Sequence, residues 1–199
     1  MEQIVASSSG RPRDPDIEGR AIRAAYEIMA DCGYEGLSFA KVSALSGIAR
    51  PTLKLRWPTR TDLCIATGKF ILDQTVEVQV PDDLSGVNIR ALMANILGGL
   101  IITLNDPERS RILLSIIAAA HFSDPLGELR RYIISRRGII LRRLIETGME
   151  QGAFSPETDV EMAVDGLNGP IIYRTLITGL PMNPEMARAI VDMVLPPME

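Results

Sequence analysis

The chain has 199 residues, 46% of them hydrophobic and 23% charged, and carries a net charge of −4 at pH 7. With only 16 Gly and 13 Pro, it is neither a disordered nor a fibrous chain, and it has enough apolar side chains for a core in one or two domains. The longest charge-free run, residues 91–105, falls short of the ~18 apolar residues that a membrane span needs.

The opening MEQIVASSSG lacks the leading positive charge and apolar run of a secretory signal, so a cytoplasmic protein with no membrane association is expected. Cys32 and Cys64 do not form a CxxC pair, and His121 is the only histidine. The usual zinc clusters and two-histidine catalytic sets are therefore excluded, and no metal or cofactor is expected.

The charge is unevenly spread. Residues 1–60 carry nine Lys/Arg against seven Asp/Glu, whereas residues 61–199 carry twelve against eighteen. Between Gly36 and Thr61 there is no acidic residue, yet Lys41, Arg50, Lys54, Arg56 and Arg60 all lie there. An acid-free basic window in an acidic protein suits a phosphate-binding surface, although a solvated face would have the same composition.

In chain order, residues 1–13 are Ser/Gly/Pro-rich with Arg11 and Arg13 and read as an unstructured basic arm. Such an arm either enters a minor groove or is simply a loose terminus. Asp14 and Pro15 form a cap and first-turn proline for a helix with Ile17, Ala21, Ala24, Ala25, Ile28 and Cys32 at helical spacing, ended by Gly33. Ser38 caps a short second helix carrying Phe39, Val42 and Leu45, which Gly47 stops. Pro51 sits in the first turn of a third helix reaching Leu55 or Arg56, with Ala49 as a poor cap.

The second and third helices have helix-turn-helix spacing. Ser43 is small where the two must approach, Gly47 can adopt the left-handed turn, and Val42, Ile48 and Leu53 supply apolar contacts. Arg50, Thr52, Lys54 and Leu55 then project from the third helix. The segment LSFAKVSALSGIARPTLKLRWPTRTDL, residues 37–63, resembles the DNA-binding signature of the TetR family of bacterial transcriptional regulators, whose usual ending is read here as Trp57, Pro58, Thr59 and Arg60.

That resemblance implies phosphate contacts from Ser38 and Arg60, and a recognition helix carrying Arg50, Pro51, Thr52 and Lys54. The chain departs from the family pattern where Lys54 replaces a frequent tyrosine and Ala49 a frequent capping serine. Lysine still neutralises a phosphate. Leu55 either touches a thymine methyl or is buried, and burial is the expectation. Trp57 is expected to be buried between helical units, and Thr59 with Asp62 to form a capping box opening a fourth helix. The alternating run from Thr75 to Val80 is taken as helix tail or loop.

Beyond Pro81, breaks at Pro107, Asp124-Pro125, Gly152, Ser155-Pro156 and Pro181 leave helices over about 86–104, 107–121, 126–151, 157–178 and 184–195. The expected fold is all-α, about nine helices, with a helical bundle as its second part. The run 91–105 is apolar nearly all round and should be central, and Gly98-Gly99 within it mark a bend or a close approach. The pairs Arg130-Arg131, Arg136-Arg137 and Arg142-Arg143 recur every six residues, so they cannot form one stripe and read as solvated or salt-bridged flanks.

In the last two helices, Val160, Ala163, Val164 and Leu167, and then Met186, Ile190, Met193 and Val194, form apolar faces, with Pro170 expected to kink or interrupt the first ladder. Packing inside one chain would satisfy these faces, but the resemblance implies a homodimer through them. It also implies a small-molecule pocket in the second domain, for which Ile96, Gly99, Leu100, Ile117 and His121 are the candidate lining and an apolar effector the candidate ligand. His121 by itself reads as a satisfied helix-end residue.

The expected organisation is an arm over 1–13, a DNA-binding helix-turn-helix domain over 14–60, and an effector-binding and dimerisation domain over 61–199. The expected function is a sequence-specific regulator, a repressor released from a palindromic operator in double-stranded DNA by an effector. The alternatives are a helical adaptor with a degenerate helix-turn-helix, or a small all-α enzyme, for which no catalytic set stands out.

Overall fold

In the computed structural model, which describes residues 16–73 and 79–197, every regular element is helical. The order is α1 (Ile17–Gly36), α2 (Phe39–Ser46), α3 (Arg50–Arg56), α4 (Arg60–Asp73), α5 (Ile89–Asn105), α6 (Pro107–Ala119), α7 (Asp124–Glu150), α8 (Val160–Tyr173) and α9 (Met186–Val194). The basic arm, the Asp14-Pro15 cap and residues 75–78 of the alternating run lie outside the described residues.

In α1 the predicted periodic face is the buried one, with Ala21 and Ala25 fully enclosed. Gly33 breaks the helix without ending it: at φ 65° and ψ −170° it bends the backbone before one more turn to Gly36. The same glycine lets α1 approach α6, because a Cβ there would lie 3.1 Å from the Ser115 Cβ. The freed Tyr34 N–H donates to Ser115 Oγ at 3.0 Å.

Two apolar cores result. The first gathers α1 to α4 with Ile112, Ile116 and Ala120 and with Leu126 and Leu129 from the start of α7. The second gathers α5, Leu113, the Leu141–Ile145 part of α7, Phe154, α8 and α9. Helix α6 thus puts Ile112 and Ile116 into one core and Leu113 into the other, so it cannot tilt without disturbing both.

Helix α5 is central as its composition predicts, but Gly98 and Gly99 do not bend it. Gly98 faces Pro184 at ordinary contact distance, 3.7 Å from its Cβ position, and Gly99 faces open space. The arginine pairs of α7 divide their work. Arg142 is bonded to Glu161 of α8, with Nη2 donating to Oε2 at 2.7 Å, and Arg143 donates to the Pro81 and Asp82 carbonyls. Arg137 is half-buried, and burial lowers its pKa.

Pro170 does not stop α8, which continues to Tyr173 and then widens into a π-helical turn at Arg174–Thr178. The turn closes with Gly179 N–H donating to Arg174 O at 2.8 Å, as a wider i→i+5 ring requires.

The expected dimer faces need correction on geometry. Ala163, Val164, Leu167 and Ile190 are buried in the chain's own second core, and Val160, Met186 and Val194 pack against it. Only Met193, 65% exposed, looks outward. The reason is that α9 lies across α5 and α8 within the same chain, which consumes the face that periodicity identified. From α8 onward, the large apolar residues left outside are Met162, Tyr173, Leu176, Ile177 and Leu180, with Met193.

Candidate nucleic-acid interface

The reading unit is assembled by local hydrogen bonds that its sequence dictates. Ser38, in extended backbone, accepts the Lys41 N–H on its Oγ at 3.3 Å and opens α2. Ser46 Oγ donates to Val42 O at 2.6 Å and accepts from Ile48 N–H at 3.3 Å, closing the end of α2 onto the turn. Gly47 takes φ 70° and ψ 10°, the left-handed conformation that other residues reach only with strain. Val42, Ile48 and Leu53 are buried behind it.

Helix α3 has no side-chain cap, as Ala49 implies, and has Pro51 in its first turn. Leu53 is its one buried residue. Arg50, Pro51 and Lys54 are exposed and Thr52 is half-buried. Lys41, Arg50 and Lys54 make no ion pair among the described residues. Leu55 is 87% exposed, which overturns the expectation of burial: in a seven-residue helix one turn faces the core, and Leu53 occupies it. Trp57 is buried as expected.

Thr59 and Asp62 form the predicted capping box. Thr59 N–H donates to Asp62 Oδ2 at 2.8 Å and Asp62 N–H to Thr59 Oγ1 at 3.1 Å. Arg60, in the first turn of α4, is not bare. It bonds Glu35 Oε2 at 3.2 Å, and its guanidinium lies over the Tyr34 ring at 4.5 Å from the centroid. Partial burial, the largest single effect, works against its charge, and the hydrogen bonds and charges of Glu35 and Tyr34 together outweigh it, so its pKa is raised. Arg56 is likewise paired with Glu18 at 3.1 Å.

These acidic partners on α1 were not read from the sequence, since nothing in the spacing of Glu18 and Glu35 relates them to residues 38 and 25 positions away. Among the described residues the surface therefore has two kinds of cation: Lys41, Arg50 and Lys54 without an ion pair, and Arg56 and Arg60 restrained by α1.

The five candidate effector residues differ in burial. Ile96 and Leu100 are buried in the second core, Gly99 and Ile117 are partly exposed on different helices, and His121 is exposed beyond α6. None of them lines the cavity that opens between α1, α4 and α6. Among the described residues no single helix is long and apolar enough to cross a membrane.

Residues 88–194 match the family model described as Tetracyclin repressor-like, C-terminal domain. The chain is 25% identical over 186 residues to the uncharacterized HTH-type transcriptional regulator YdeS of Bacillus subtilis, covering 93% of this chain and 91% of that one. It is 22% identical over 201 residues to the uncharacterized HTH-type regulator Rv1556 of Mycobacterium tuberculosis, covering 99% and 96%. Its fold resembles a TetR transcription regulator from Haloarcula marismortui, with TM-score 0.72, 20% identity and coverage of 89% and 95%. It also resembles MexZ, described as a key repressor responsible for antibiotic resistance in Pseudomonas aeruginosa, with TM-score 0.68, 19% identity and coverage of 88% and 93%.

Proposed function

The chain belongs to the tetracyclin repressor-like family of transcriptional regulators, and we propose that it is a homodimeric repressor that a small-molecule effector releases from a palindromic operator. The observation that carries this reading is the outward face of α3, where Arg50, Lys54 and Leu55 stand exposed in a stretch without acidic residues from 36 to 61. Arg50 and Lys54 offer donors to phosphate or to guanine edges, and Leu55 offers a methyl-bearing surface to thymine. Ser38 and Arg60 flank this face and would hold the backbone.

The division of labour follows. Residues 14–60 read DNA, and 61–199 bind effector and partner. Dimerisation uses the outward stripe Met162, Tyr173, Ile177 and Met193, with Gly169, beside which a Cβ would meet nothing within 4 Å, leaving room for a partner helix. An isologous pair then places two α3 helices about one helical turn, ~34–36 Å, apart on DNA. An effector that prefers another separation of the two heads lowers DNA affinity by its differential affinity for the two states.

The test is selection of random duplex DNA by the full chain at about 0.15 M salt, where long-range attraction is screened. An enriched inverted repeat is expected, and absence of any enriched sequence would overturn the reading.

A further inference from the structure

Where α1, the end of α4 and the start of α6 meet, a cavity of about 340 Å³ opens, lined by Arg23, Tyr26, Glu27, Phe70, Ile71 and Arg109. Its size is at the small end of the ~300–1,000 Å³ typical of small-molecule sites. The lining is divided by chemistry. Ile71 is buried in the first core and Phe70 packs against it, which makes an apolar floor. Arg23 and Arg109 keep 57% and 36% of their side-chain surface exposed and stand at the mouth.

Both guanidiniums are only partly engaged. Arg23 reaches Asp16 through Nη2 at 3.2 Å, and Arg109 reaches Asp106 through Nε at 3.6 Å. The terminal amino groups of Arg109 have no hydrogen-bond partner among the described residues. The lining itself carries two guanidiniums and one carboxylate, Glu27, and Asp16, Asp106 and Glu108 border it on Arg23, Arg109 and Tyr26, so what the site offers an anion above its apolar floor is the guanidinium N–H donors these carboxylates leave over.

We propose that this seam is a binding site for a small amphipathic organic anion, with its acid group between Arg23 and Arg109 and its hydrocarbon on Phe70 and Ile71. A carboxylate suits two guanidiniums, which bind anionic oxygens through charge-assisted and bidentate hydrogen bonds. A cationic amphiphile would set like charge beside both arginines, and inorganic phosphate would leave the apolar floor unused.

The site joins α1 of the reading unit to α6 of the body. That seam is already bridged by Tyr26 Oη–H donating to Glu108 Oε2 at 3.3 Å, by Tyr34 N–H on Ser115 and by Arg111 on the Ala30 carbonyl. An anion held there bears directly on how the head sits against the body. The site deepens the proposed repressor function by naming an effector class, and for that consequence it rests on the repressor reading.

The experiment is calorimetric titration of the full chain with octanoate, with octanol, octylamine and inorganic phosphate as comparisons. Saturable binding of octanoate, one per chain with Kd below about 1 mM, is expected, at least about tenfold tighter than each comparison. Arg109→Met and Arg23→Met, which keep the hydrocarbon stems, are each expected to weaken it by about tenfold or more. Two variants guard against one failing to fold.

No octanoate binding, equal binding of octanol or phosphate, or binding unchanged in both variants would overturn the proposal. Operator affinity is read on the same preparation. A chain that binds octanoate but no DNA keeps this site and loses the repressor reading, and the converse result does the opposite.

Discussion

Arg60 lies over Tyr34, its guanidinium carbon 4.5 Å from the ring centroid, so the cation nearest the end of the reading unit is held in place before any DNA arrives. The ring face attracts the guanidinium, and Glu35, at 3.2 Å, competes for its charge. Exposed ion pairs of this kind contribute about 0.2–1 kcal/mol.

Glu35→Gln is therefore expected to raise operator affinity up to about fivefold at low salt, with the gain shrinking as salt rises. Fluorescence anisotropy of a labelled operator reads this. Unchanged or weaker binding would mean that Arg60 does not face phosphate.

On α3, Lys54→Ala should lower affinity for all sequences alike and reduce the salt slope by about 0.9. Leu55→Ala should behave differently. Its side chain is 87% exposed, so the melting temperature should hold while discrimination at one operator position falls by about 1 kcal/mol, the scale of one buried methyl contact. A loss of thermal stability instead would show that Leu55 packs within the protein.

The two faces of α8 can be separated by mutation. Tyr173→Glu with Ile177→Glu, both outward, should give light-scattering mass near that of one chain, 21.8 kDa, with the helical signal retained. Leu167→Ala, fully buried, should instead cost about 2–5 kcal/mol of stability. A dimer unaffected by the first pair would move the interface elsewhere.

The two thiols should differ in reactivity. Cys32 is exposed and Cys64 buried, and burial pushes the Cys64 thiol up from 9.0 to about 12, with the Arg60 charge only partly opposing it. A disulfide reagent should titrate one thiol in the native chain and both in denaturant. The folded state keeps a proton that the unfolded thiol releases above about pH 8.5. Stability should thus be intact below that pH and fall as pH rises toward 12. Urea midpoints of the chain and of Cys64→Ala, compared from about pH 8 to 10, check the sign; a steeper fall in the variant would contradict it.

Much of the fold is visible in the sequence because helices are local. Ser38, Gly47 and the Thr59–Asp62 pair act over a few residues, and each makes in three dimensions the bond or backbone turn that its side chain and spacing require. Periodicity similarly marks the buried face of α1 and an all-round apolar composition marks α5 as central, and the acid-free window from Gly36 to Thr61 marks where cations can gather.

What the tertiary structure alone decided concerns residues far apart in the chain. An apolar face shows that a helix needs a partner but not which partner. Val164 and Ile190 found theirs inside the chain, leaving Tyr173 and Ile177 outside. Glu35 and Arg60 meet across 25 positions, and Arg23, Phe70 and Arg109 share a cavity although nothing local relates them. Secondary structure is set by neighbours along the chain, whereas pairings and cavities are set by the packing of whole helices, which depends on every side chain at once.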